Sequence, residues 1–199
     1  MLQQVVTAAA FLAFTAGAAE AKILPAEAGP LRPGELLFKG SATGAGTRLA
    51  ADWSKGDKRW GHIGIVVADA DGTLEVVHAD TGKPGEVGAV RRVSLATFLS
   101  DVNDLGVYEV DLAGAERTAY LDYAAHAVGR PFDHGFSLDS DDSLYCSELV
   151  WRALSAGLGD DAVPDKSRRL GRVYVSVSDI SENLHAHELR TVKAAPAGH

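Results

Sequence analysis

The chain has 199 residues, 46% of them hydrophobic, and carries 27 acidic against 19 basic side chains for a net charge of −8. No stretch clusters Lys and Arg with aromatics, which argues against nucleic acid and anionic membrane surfaces as partners. With a single cysteine, Cys146, no disulfide forms within the chain, and 21 glycines fit a globular mixed α/β protein.

In chain order, residues 1–21 read as an export signal. Val5 to Ala19 contains no charge and is dominated by Ala, Val, Phe and Leu. That is the length of a signal-peptide core and too short for a bilayer of roughly 30 Å. Ala-x-Ala patterns end at Ala18 and Ala21, although the start lacks Lys and Arg. The expected product is secreted or periplasmic, with residues 22–185 forming one domain and 186–199 a disordered tail.

Within the domain, GELLF (Gly34 to Phe38) predicts a short strand, and a short helix is expected around Thr47 to Trp53. HIGIVVAD (His62 to Asp69) and TLEVVHAD (Thr73 to Asp80) predict a hairpin about Asp71-Gly72. Val90 to Val93 suggests another strand, and Ser94 a helix N-cap. Gly106 to Val110 predicts a strand. Ala115 to Val128 predicts a helix that stops at Gly129-Arg130-Pro131. A helix capped by Ser143 and containing Cys146 follows, then a late strand from Arg172 to Val177. Hairpin-linked strands and clustered helices indicate an α+β fold: a small antiparallel sheet or half-barrel with helices packed on one side.

The lone thiol admits four roles: buried hydrophobe, intermolecular disulfide, metal ligand or nucleophile. Cys146 precedes Leu149 and Val150 by three and four residues, which puts it on the buried face of its helix, in the first turn. The helix dipole and unpaired N–H groups there favour thiolate. Glu148 and Arg152, spaced i,i+4, are expected to form a solvated ion pair on the opposite side. A nucleophile needs a base held by a third group. His62 and His78 come together across the hairpin, so His62 is expected to face the cysteine helix within ~4 Å of the sulfur, with His78 orienting it. The same Cys-His-His set is also a candidate zinc site, although it lacks the close ligand pairs of most structural zinc sites. His126, His134, His185, His187 and His199 are assigned no role. Tyr145 is expected to pack, and Asp139, Asp141 and Asp142 to form a solvated loop rather than a calcium site.

PGELLF, HIGIVV and VVHAD resemble the successive strands of the NlpC-type cell-wall peptidases. There the cysteine helix precedes the strands, whereas here GRPFD and YCSELV follow them. This order is similar to that of the circularly permuted papain-like hydrolases of the YiiX kind, and the resemblance covers Leu31 to Leu154. It implies a circularly permuted papain-like (NlpC-type) fold and amide hydrolysis, with Cys146 as nucleophile, His62 as base and His78 as third residue. It further implies cell-wall peptide as substrate, other amides or lipid acyl groups being alternatives, and no cofactor. Two positions depart from the pattern. Phe132 replaces a usual tyrosine, and His78 stands where permuted relatives often carry glutamate. A catalytically inactive peptide- or acyl-binding module is the remaining alternative.

Overall fold

The structure, a computed structural model, describes residues 22–43, 45–83 and 85–195. The expected signal segment and His199 lie outside them.

Six strands form one antiparallel sheet: β1 (Leu36–Gly40), β2 (Trp60–Ala68), β3 (Leu74–Asp80), β4 (Ala89–Ser94), β5 (Asp104–Val110) and, after a separate hairpin, β8 (Ala186–Lys193). Their order across the sheet is β4-β3-β2-β1-β5-β8. The intervening hairpin is β6 (Ser167–Arg169) with β7 (Arg172–Tyr174). The turn between β2 and β3 falls where expected, with Gly72 at φ 86°, a conformation open to residues without a Cβ. The C-terminal segment corrects the expectation of a disordered tail. Residues 186–193 pair with β5 from Ala186↔Val110 to Lys193↔Asp104, because backbone pairing along an open sheet edge does not require an apolar sequence.

The helices are α1 (Ala45–Trp53), α2 (Leu95–Leu99), α3 (Gly114–Ala127), α4 (Cys146–Leu158) and α5 (Val177–Ser181). Ser94 caps α2 as expected, its Oγ accepting from Thr97 N at 3.1 Å. The sheet separates two cores. On one face Ile63, Ile65 and Val67 of β2 meet α3 and α4. On the other, Leu37, Val66 and Val76 are covered by Phe98 and Leu99 of α2 and by Ile23. The longer helices thus share one face, and the short α2 closes the opposite one.

Lys166, Arg168, Arg169 and Arg172 lie in or beside the β6–β7 hairpin, a local basic run next to Tyr174 that corrects the expectation that no stretch clusters Lys and Arg with an aromatic. Lys166 pairs with Asp161, Arg169 lies 4.9 Å from the Trp53 ring, and Arg172 donates to Gly135 O at 3.0 Å.

Candidate active site

The start of α4 is fixed by its neighbours. Tyr145, not Ser143, is the N-cap: its backbone is extended, and Cys146 is the first helical residue. The residues flanking the cysteine are both anchored on Val175. Tyr145 Oη accepts from Val175 N at 2.8 Å, and Ser147 Oγ donates to Val175 O at 2.8 Å. Tyr145 therefore packs, as expected, and also holds the cysteine in place through its hydroxyl. The first amides of α4 have no acceptor within the helix. Cys146 itself is 9% exposed.

Glu148 overturns the expected solvated ion pair, since it is 0% exposed. Its carboxylate accepts from Arg152 Nε at 2.9 Å and from Tyr145 N at 3.4 Å, closing a capping box. Arg152 reaches on to Ser140 O at 2.7 Å. The i,i+4 spacing gave the pair but not its depth, because the loop before α4 folds over that side. Burial pushes the Glu148 carboxyl up to about 7, against the pull of Arg152.

The two histidines come together. His62 Nε2 and His78 Nδ1 are 2.9 Å apart, with the rings nearly perpendicular at 85°. Both pack against the ring of Phe98, at 6.0 and 5.2 Å between centroids. Gly64, two residues along β2 from His62, makes room for this group. A Cβ there would lie 2.5 Å from Val76 Cγ1, 3.0 Å from Phe98 Cε2 and 3.3 Å from His78 Cβ.

That environment corrects one expectation. The β1–β2 register runs without a break from His62 to Ile65, so His62 shares the Gly64 and Val66 side of the sheet, while Ile63 and Ile65 face α4. His62 therefore does not point at the cysteine helix across the core. The thiol arrives instead at a gap between strands. Val66 N–H donates to Glu35 O at 2.8 Å, so the even-numbered amides of β2 are directed toward β1 and that of Ile63 toward β3. The β2–β3 ladder ends at Ile65↔Val77, which leaves the Ile63 amide without a strand partner. It bonds to the sulfur of Cys146 instead, as do the backbone and side chain of Ser147 and the backbone of Cys146 itself. The cysteine thus meets β2 one residue away from His62 along the chain.

The expected thiolate is not the resting state of this geometry. Burial pushes the Cys146 thiol up to about 11, and the amide bonds from Ile63 and Ser147 oppose it without prevailing. Burial also holds His62 well below the ordinary imidazole range, with His78 and Lys39 adding to the effect. His78 is lowered to about 4, chiefly by burial and then by Lys39. Thiol and imidazoles are all neutral near pH 7.

Sequence reasoning passed over Lys39, Val175 and the Ile63 amide. Lys39 left one signal, a cation inside the otherwise apolar strand LLFKG. The other two act through backbone groups, on which the side-chain sequence is silent. Among the remaining histidines, His187 pairs with Asp111 at 2.6 Å on the surface and His126 bonds its own helix at Asp122 O, away from the cysteine. Tyr123 Oη and Arg130 hold Asp141, whose loop is a structural bracket.

No curated protein matches the chain. Among solved structures, the chain superposes on a crystal structure of the metalloprotein yiiX from Escherichia coli O157:H7 with a TM-score of 0.63 at 21% identity, over 82% of this chain and 97% of that one. A family model described as permuted papain-like amidase enzyme, YaeF/YiiX, C92 family, matches residues 30–194, a span that includes β8 and every residue of the site. With the cysteine helix following the histidine hairpin in the sequence, the chain belongs to the permuted papain-like amidase family.

Proposed function

We propose that the chain is a secreted or periplasmic cysteine hydrolase that cleaves amide bonds through an acyl-enzyme on Cys146, with cell-wall peptide as its substrate. The observation that supports this most is the meeting of the α4 N-terminus with the gap in the sheet beside the hydrogen-bonded histidine pair. The bond to His78 occupies His62 Nε2 and leaves Nδ1 to take a proton. In that tautomer His62 Nε2–H donates to His78 Nδ1.

The reaction starts from neutral partners. As Cys146 Sγ attacks the carbonyl carbon, its proton passes to His62, and the carbonyl oxygen becomes an oxyanion. The N–H of Cys146, which has no acceptor within α4 and bears on the sulfur, is placed to stabilise that charge. The tetrahedral adduct collapses, the C–N bond breaks, and His62 returns the proton to the departing amine. Water then attacks the thioester, giving its proton to His62, and the acid leaves as the thiol is re-formed. His78 keeps His62 in the useful tautomer throughout.

A metal-binding reading has one observation in its favour, the description of the yiiX protein as a metalloprotein. The donors here do not suit it. His62 and His78 bond to one another instead of converging on a common point, and the sulfur approaches from the other side of β2. Among the described residues, no group of three or more His, Cys, Asp or Glu side chains gathers as a metal site.

Mass spectrometry after incubation with purified peptidoglycan fragments and, separately, simple acyl esters tests the proposal. An acyl adduct on Cys146 that is absent from Cys146→Ala is expected. Stoichiometric zinc, together with alkylation of Cys146 that speeds up on chelation, would sink it.

A further inference from the structure

Lys39 is a buried cation on the same face as the histidine pair. The β1–β2 register sets it directly opposite His62, and alternation along β1 turns it to the Leu37 side, away from α4. It is 7% exposed. Its Nζ donates to Asp101 Oδ1 at 2.8 Å and stands 4.3 Å from the centroid of Phe98, the ring on which both histidines pack. An ammonium on an apolar wall is costly to bury, and Asp101, mostly in solvent, offsets this only in part. Leu or Met would fill the same space at lower cost, so packing alone does not account for the charge.

We propose that Lys39 is a positioning residue for the hydrolysis: its charge, held by Asp101 beside the Phe98 ring on which both histidines pack, adds to burial in disfavouring the protonated pair and so extends to lower pH the range in which His62 acts as a base. This rests on the assignment of Cys146 as nucleophile. The charged groups bearing on the pair are Lys39 from β1, Asp80 on β3, Arg91 on β4 and Asp101 from the turn before β5. Asp80 and Asp101 favour the imidazolium, whereas Lys39 and Arg91 oppose it. Among the described residues, Lys39 is the charged side chain that bears on both rings. A papain-like site that rests as a thiolate–imidazolium pair gains from carboxylates near its imidazole. A site that rests neutral, as this one does, gains from a cation that leaves the proton on sulfur until the carbonyl arrives.

The test is NMR titration of the histidine ring protons in the full chain carrying Cys146→Ala, which reads protonation without turnover. Lys39→Met is expected to raise the midpoints of His62 and His78 by about one pH unit, on the scale of a charge removed from a partly buried neighbour. Lys39→Arg restores them, and Asp101→Asn moves them down. With Cys146 intact, the acidic limb of turnover on a chromogenic acyl ester moves up by the same amount in Lys39→Met and returns in Lys39→Arg. Midpoints that stay in place in a folded Lys39→Met chain overturn the proposal, as does a Lys39→Arg chain that behaves like Lys39→Met. Should Lys39→Met not fold, unmoved or raised midpoints in Asp101→Asn overturn it equally. A natural chain that forms no acyl adduct ends the hydrolase assignment instead, and the titration still decides whether Lys39 sets the charge of the pair.

Discussion

His62 Nε2 and His78 Nδ1 lie 2.9 Å apart on the face of the sheet opposite α4, while the sulfur of Cys146 takes one of its hydrogen bonds from the amide of the very next residue, Ile63. The proposed base and the proposed nucleophile thus reach β2 at adjacent residues, His62 and Ile63, beside the gap where the β2–β3 ladder ends. On the proposed mechanism, proton transfer between them depends on that gap as much as on the three side chains.

Substitutions at the three residues should rank accordingly. Cys146→Ala abolishes acyl-enzyme formation. His62→Ala lowers turnover by about 10²–10⁴-fold, the usual contribution of a positioned base. His78→Ala costs less, because it removes orientation and leaves the base. Single-turnover measurements with an acyl ester check the order, and equal losses at His62 and His78 would contradict it.

Acid should unfold the protein through the histidine pair. His78 is lowered from 6.5 to about 4 in the folded chain, and burial holds His62 well below the ordinary imidazole range in the same direction. The unfolded chain then binds more protons between those limits, so stability is present above pH 6.5 and is lost as the pH falls through about 4. For His78 alone the loss is roughly 3 kcal/mol. Urea denaturation at pH 7, 5 and 4 measures it, and His78→Gln should flatten the slope.

The thiol acts at the opposite end of the scale. Its folded value is raised to about 11, so the folded chain holds the proton more tightly than the unfolded one. This contribution to stability is present below about 9 and is lost as pH rises toward 11. Iodoacetamide should react slowly with Cys146 at pH 7 and faster as the solution is made alkaline. Rapid alkylation of the resting protein at pH 6 would show instead that the helix start dominates over burial.

Gly64→Ala probes the wall behind the histidines. The added Cβ meets Val76 Cγ1 at 2.5 Å and Phe98 Cε2 at 3.0 Å. Overpacking of this kind costs about 1–3 kcal/mol. Because the displaced groups flank His78, turnover should fall together with the melting temperature. Gly46→Ala, with nothing within 4 Å of the new Cβ, is the control.

Glu148→Ala removes a buried carboxylate and leaves Arg152 without its partner. A loss of about 3 kcal/mol is expected, as for the breaking of other buried pairs. Thermal melting reads it directly, and a change within 0.5 kcal/mol, the usual range of a surface substitution, would mean that the pair behaves as solvated.

Local order in the sequence determined much of this molecule. The alternation of HIGIVV and LEVVHA, the Asp71-Gly72 turn, the Ser94 cap and the position of Cys146 in the first turn of its helix all depend on neighbours within a few residues. The elements they specify are found in place. The order of the motifs likewise indicated the permuted fold. Tertiary structure decided the rest, since those features depend on chain segments far apart in sequence. Depth is one: Glu148 and Arg152 read as a surface pair, yet the carboxylate is enclosed once the loop before α4 folds over it. Edge pairing is another, since Ala186 to Lys193 become a strand only because β5 offers open backbone groups. The thiol is the third. Helix position alone favours thiolate, but packing against β2 removes water from the sulfur, and the cost of desolvating a charge exceeds what the backbone amides of Ile63, Ser147 and Cys146 and the Ser147 side chain return.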